Sequence, residues 1–144
     1  MKPTAYIASP FFTPEQVKQV EHIKQELKAQ GFAFFSPKDS NLVTSKSTKE
    51  ELRYAFNTNL SMIIASDFII ANIEGIDQGT YFEIGYAYAV EKPVLLWSPN
   101  PVRKLNLMLQ QAATIFAASA SVAPLIRMYV QKEEQKYQGE IEWI

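Results

Sequence analysis

The chain has 144 residues, 47% hydrophobic and 20% charged, with a formal net charge of −1. That length fits one domain over residues 1–144, and a balance so near neutrality leaves no electrostatic footprint for nucleic acid or an anionic membrane. Cysteine is absent, which excludes disulfides, thiolate chemistry and cysteine-based zinc sites.

Thr4-Ala5-Tyr6-Ile7-Ala8 is a short apolar run closed by Ser9-Pro10, the pattern of a buried strand. Met1-Lys2-Pro3 leads straight into it without the apolar region of a signal peptide, so a cytoplasmic location is expected. Thr13 is placed to cap a helix with Pro14 at its first position; Val17, Val20, Ile23 and Leu27 keep helical spacing, and Gly31 stops it. His22 lies in this charged helix, where a solvated position is expected. Phe32 to Phe35 reads as a second strand, and Lys38 to Lys46 as an irregular polar loop long enough to bind a ligand.

Thr48 caps a helix through about Ile64, with Leu52, Phe56, Leu60, Ile63 and Ile64 on one face. Asp67 to Asn72 is the most strand-like segment. Pro93 to Trp97 is a fourth strand, Leu105 to Ala113 a helix, Thr114 to Ala118 a fifth strand, and Val122 to Tyr137 a last helix. The weakly polar run Leu105 to Ile126 is broken by Asn106, Gln110, Gln111 and Pro124, so it is no membrane span. Strands alternating with helices, and apolar on both faces, predict a doubly wound, flavodoxin-like α/β domain. Its parallel sheet has five strands, ordered 2-1-3-4-5, with helices on both faces. Ligands of such sheets bind beyond the carboxyl ends of the strands. Ser9 to Phe12, with Phe11 and Phe12, and Asn72 to Gly79 fall there.

The segment Asp77 to Ala89 concentrates the chemistry. Asp77-Gln78-Gly79 reads as a turn and Thr80 as the cap of a helix starting at Tyr81, which puts Glu83 in the first turn among Phe82, Ile84 and Tyr86. An ionised carboxylate in a water-poor pocket, with a second carboxylate nearby, is what nucleophilic glycosyl chemistry needs. Thr80-x-x-Glu83 is equally a capping box, in which the glutamate only satisfies a backbone N–H. No G-x-G-x-x-G follows the first strand and no P-loop occurs, which disfavours a dinucleotide or a nucleoside triphosphate.

Five segments in one order carry a resemblance. They are Y-I-A-S-P-F-F-T from Tyr6, S-D-F-I-I-A-N from Ser66, D-x-G-T-x-x-E-x-G-Y-A from Asp77, K-P-V-L-L from Lys92 and N-L-M from Asn106. The chain resembles the nucleoside 2-deoxyribosyltransferase family over nearly its whole length. The resemblance implies Glu83 as the nucleophile that attacks C1′ of a 2′-deoxynucleoside and holds the sugar as a covalent ester until a second base takes it, with net retention. It implies Tyr6 beside the nucleophile, Asp77 in contact with substrate, Asn41 touching the base, and Asn106 with Met108 lining a neighbouring subunit's site in a homo-oligomer. Ser9, Phe11, Phe12 and Gly79 join the substrate-binding set. For Tyr6 and Asp77 the bland readings are core packing and an ordinary turn; for Asn106 and Met108 they are helix entry and packing.

Asn59 departs from the family, standing in Asn57-Thr58-Asn59-Leu60 where many members carry an acid expected to handle the base and its proton. An amide hydrogen-bonds a base edge but does not donate a proton as a carboxylic acid does. The chain ends in Trp143-Ile144 where some members end in an aromatic residue. No metal or organic cofactor is called for. The competing readings are a nucleoside 5′-monophosphate N-glycosidase of the same fold, which needs a phosphate pocket, and a non-catalytic nucleoside or nucleotide sensor.

Overall fold

The computed structural model describes residues 2–40, 43–101 and 104–132, and the backbone of residues 142–143. In chain order its elements are β1 (Thr4–Ala8), α1 (Pro14–Ala29), β2 (Ala33–Phe35), α2 (Pro37–Ser40), α3 (Lys49–Ala65), β3 (Phe68–Asn72) and α4 (Gln78–Ala89). There follow β4 (Val94–Ser98), β5 (Lys104–Leu105), α5 (Leu107–Ala112), β6 (Ile115–Ala118), α6 (Ala123–Val130) and β7 (Glu142–Trp143). The main sheet has five strands in the order β2-β1-β3-β4-β6, every pair parallel. This is the predicted order, with β6 as the fifth strand.

Side-chain alternation along the strands divides the core into two layers. Ala5, Ile7, Phe68, Ile70, Leu95 and Trp97 pack with residues of α1 and α6 on one face. Tyr6, Ala8, Ile69, Ala71, Val94 and Leu96 pack with Ile63 of α3 and Ile84 and Ala87 of α4 on the other. The chain turns from one face to the other between β1 and β3, which pair in the register Tyr6↔Ile69 and Ala8↔Ala71. The crevice at their carboxyl ends is where a ligand is expected.

Local rules account for the helix starts. Thr13 and Thr48 close full capping boxes with Gln16 and Glu51. Gly31, at φ +87°, takes the left-handed turn that ends α1. Other boundaries moved. Asp77 rather than Thr80 caps α4, which starts at Gln78. The Lys38–Lys46 loop begins with the one-turn helix α2. Leu105 lies in a two-residue strand paired with Trp143, and α5 begins only at Leu107, with Asn106 as its cap. The last helix ends at Val130 instead of running to Tyr137, and most of the remaining predicted stretch lies outside the described residues.

His22 is not a solvated surface residue. It is half-buried, its ring centroid lies 5.7 Å from that of Trp97, and its Nε2 accepts a hydrogen bond from the Val122 N–H at 3.0 Å. The apolar face expected on α3 is also out of phase: Ile63 is buried, whereas Leu52, Phe56 and Ile64 are exposed. Its inward positions are Ala55, Asn59 and Ile63, one helical turn apart. Among the described residues no helix is long and apolar enough to cross a membrane.

Candidate active site

Tyr6 is the third residue of β1, between β2 and β3, and its side chain is fully buried against Phe35, with ring centroids 5.5 Å apart. Its side chain points to the α3–α4 face of the sheet, where its hydroxyl donates to Oε2 of Glu83. Glu83 is half-buried in the second turn of α4. The capping-box reading is therefore excluded. The cap is Asp77, whose Oδ2 accepts from the Thr80 N–H at 2.9 Å and the Thr80 hydroxyl at 2.5 Å, while Glu83 is directed to Tyr6.

Burial raises the Glu83 carboxyl to about 7; the Tyr6 hydrogen bond acts in the opposite sense, and the charge of Asp77 adds to the rise. The Tyr6 phenol is driven far above its ordinary range, first by burial and then by the Glu83 charge. It stays protonated and remains a donor. A carboxylate near neutrality, with one oxygen fixed by a buried hydroxyl, has its other oxygen left to act as nucleophile or base.

The remaining candidates fall into three groups. Near the crevice, Phe11 and Phe12 pair at 4.9 Å on the loop after β1, with Phe12 exposed. Ser9 is turned inward: its hydroxyl donates to Pro10 O at 2.9 Å and accepts from Asn72 Nδ2 at 3.2 Å. Gly79 lies in the first turn of α4, where a Cβ would meet Asp77 Oδ2 at an ordinary 3.6 Å, so packing within this chain does not require glycine.

On α3, Asn59 sits between Ala55 and Ile63 on the inward stripe, and its Oδ1 is buried with no hydrogen-bond partner. Phe56, three residues earlier, meets Phe82 of α4 at 5.8 Å between ring centroids, so this part of α3 packs beside the Glu83 turn.

Asn106 and Met108 stand apart. The Asn106 side chain caps α5 by accepting from the Met108 N–H at 2.9 Å, and both residues are exposed. They line a mainly apolar cleft of about 580 Å³ between α4 and α5, with Tyr81, Ile84, Gly85 and Tyr88. Among the described residues neither hydrogen-bonds to Tyr6, Asp77 or Glu83. Asn41 lies outside the described residues. No group of three or more metal-ligating side chains occurs among the described residues.

Sequence reasoning gave Thr80 the role of cap and missed its two bonds to Asp77, and it missed the hydrogen-bonded cluster of Gln19, Asn72 and Glu74. Asn72, a polar residue closing a wholly buried strand, was the one available signal for that cluster.

The model of the nucleoside 2-deoxyribosyltransferase family matches residues 5–137. Among curated proteins no relative matches. Among solved structures, a 2-deoxyribosyltransferase from Bacillus psychrosaccharolyticus is 32% identical, with a TM-score of 0.72 over 79% of this chain and 85% of that one. The 2-deoxyribosyltransferase from Leishmania mexicana is 22% identical, with a TM-score of 0.64 over 91% of this chain and 99% of that one. A CMP N-glycosidase from Clostridium botulinum is 17% identical, with a TM-score of 0.59 over 90% and 96% of the two chains. The last two show a shared fold. The family match, taken with the Bacillus structure, establishes that this chain is an enzyme of the nucleoside 2-deoxyribosyltransferase family.

Proposed function

We propose that the enzyme transfers the 2-deoxyribosyl group of a 2′-deoxynucleoside to another nucleobase through a covalent ester on Glu83, with retention at C1′. The observation that carries this reading is the Tyr6 hydroxyl bonded to a half-buried Glu83 carboxyl beside the β1–β3 crevice. The free carboxylate oxygen forms a bond to C1′ as the C1′–N bond breaks, and the bonding pair leaves with the base, which gains a proton. A nitrogen of the incoming base then attacks C1′ and gives up its proton, the ester C–O bond breaks with its electron pair passing to the carboxylate, and Glu83 is regenerated. Two inversions give retention. The carboxylate also offsets the positive charge that develops on the sugar.

Tyr6 orients the nucleophile, and Asp77 contacts the sugar from the start of α4. Phe11 and Phe12 flank the entrance with Ser9 beneath them, Gly79 leaves room for the sugar, and Asn41 and Asn59 meet the base. Asn106 and Met108 serve the site of a second copy in a homo-oligomer. Exposed Phe56, Ile64, Phe82, Tyr88 and Met108 support such an assembly, since apolar side chains this numerous on one side of a domain are usually covered. A cytoplasmic setting completes the proposal.

The nucleotide-hydrolase reading has less support. A helix N-terminus is a natural phosphate seat, but the start of α4 is already occupied by the Asp77 carboxylate, which would repel a 5′-phosphate. Incubation of 2′-deoxyinosine or thymidine with adenine, followed by chromatography, tests the reading. Deoxyadenosine formed by the enzyme and not by Glu83→Ala supports it. Free base without deoxyadenosine points to a hydrolase. No reaction with either nucleoside or nucleoside 5′-monophosphates points to a sensor.

A further inference from the structure

A second polar cluster lies behind the crevice and touches no candidate catalytic atom. Asn72, the last residue of β3, is 1% exposed. Its Nδ2 donates to Ser9 Oγ at 3.2 Å and to Gln19 Oε1 at 2.8 Å, and its Oδ1 accepts from the Glu74 N–H at 3.0 Å. The Glu74 carboxylate is held from two sides, by Gln19 Nε2 at 2.8 Å and Asn100 Nδ2 at 2.6 Å. One network thus ties together the ends of β1 and β3, helix α1 and the loop after β4.

What this network holds is the segment leading to Asp77. Ile73 extends the sheet ladder through its N–H to Trp97 O at 2.9 Å, and Gly75, at φ +77°, accepts the Tyr81 hydroxyl on its carbonyl at 3.2 Å. Ile76 follows, 90% exposed, and then Asp77. The bend that delivers Asp77 is therefore anchored on its upstream side by the Ile73 and Glu74 backbone N–H groups and, across to α1 and the loop after β4, by the side chain of Glu74. A carboxylate is the natural anchor, because two amide donors converge on its two oxygens.

We propose that Glu74, clamped by Gln19 and Asn100, is a positioning residue that sets the place of Asp77 against the sugar. The inference rests on the function proposed above. Glu74 acts by geometry and not by its charge: burial, Tyr6 and Asp77 govern the Glu83 carboxyl, and Glu74 is not among its perturbers. The hydrogen-bond pattern can therefore be reversed across the pair, with the carboxylate now at the more buried position 19. In the double variant Gln19→Glu with Glu74→Gln, Asn72 Nδ2 and the new Gln amide both donate to the carboxylate at position 19, and Asn100 donates to the Gln carbonyl. Every donor still meets an acceptor. In Gln19→Glu alone, two carboxylates face one another and the amide donor that joined them is lost.

The test compares wild type, Glu74→Ala, Gln19→Glu and the double variant by deoxyribosyl transfer, pH profile and amide hydrogen exchange. Glu74→Ala and Gln19→Glu are expected to lower kcat/KM about tenfold or more, as a displaced positioning group does. In Glu74→Ala the pH midpoint of kcat/KM is expected to move down, because Asp77 recedes from Glu83. Exchange over residues 73–81 is expected to quicken in both single variants, and the double variant to recover rate and protection together. Wild-type exchange in Glu74→Ala, or a double variant as impaired as Gln19→Glu, overturns the proposal. An inactive wild type overturns the transferase reading instead, and the exchange measurement still decides whether Glu74 clamps the segment.

Discussion

Replacing Glu83 by Gln is expected to stabilise the protein at alkaline pH while abolishing transfer. The Glu83 carboxyl is raised from 4.5 to about 7 in the fold. Below pH 4.5 it is protonated whether the chain is folded or not, and its ionisation contributes nothing. Between those values the unfolded chain ionises and the folded one does not, so stability is lost as pH rises, and above about 7 the loss is complete. At 1.36 kcal/mol for each pH unit the loss amounts to about 3 kcal/mol. Gln at position 83 does not titrate, and its carbonyl still accepts from Tyr6. Urea unfolding at fixed protein concentration, at pH 4.5 and pH 8, measures the difference. The Gln variant is expected to gain about 3 kcal/mol over wild type between the two conditions. A stability difference that does not change with pH would refute the burial argument.

Three further outcomes follow from the same geometry. Tyr6→Phe keeps the packing on Phe35 and removes a bond that favours ionised Glu83. The pH midpoint of kcat/KM is expected to rise by about one unit and the rate to fall about 10- to 100-fold; an unchanged midpoint counts against the pairing. Asn59→Asp supplies an acid where an amide oxygen is buried without a partner. Transfer from a purine deoxynucleoside is expected to quicken about tenfold or more at acid pH, and an unaltered profile would remove Asn59 from proton handling. His22→Ala orphans the buried Val122 N–H and is expected to cost about 1–2 kcal/mol in urea unfolding with kcat unchanged; wild-type stability would contradict the role given to His22.

Much of this architecture was legible because the strands are short apolar runs between strong helix signals. Thr4–Ala8, Phe68–Asn72 and Val94–Ser98 admit few alternatives, and the sheet order was expected from the flavodoxin-like class that the alternation of strands and helices suggests. The Tyr6–Glu83 pair joins residues 77 positions apart. No local pattern reveals it, and only the motif resemblance brought the two together. The start of α4 was misplaced because Asp77 and Thr80 are both good caps. The buried Thr80 hydroxyl donates to Asp77, which settles the choice. On α3 the periodicity of large apolar residues pointed inward, yet Ala55, Asn59 and Ile63 take the inner stripe. Apolar periodicity marks a face to be covered, without saying whether the sheet or another chain covers it. His22 was misjudged from its charged neighbours, since its contacts with Trp97 and Val122 come from far along the chain.

The central claim is a covalent bond between the sugar and Glu83. The most direct measurement incubates the enzyme with a 2′-deoxynucleoside and no acceptor base, quenches it in acid, and maps the peptides by mass spectrometry. The account predicts one deoxyribosyl group on the peptide containing Glu83, lost again when a base is added before the quench, and none in Glu83→Gln. A deoxyribosyl group on another residue, or one that persists when acceptor base is supplied, would contradict it.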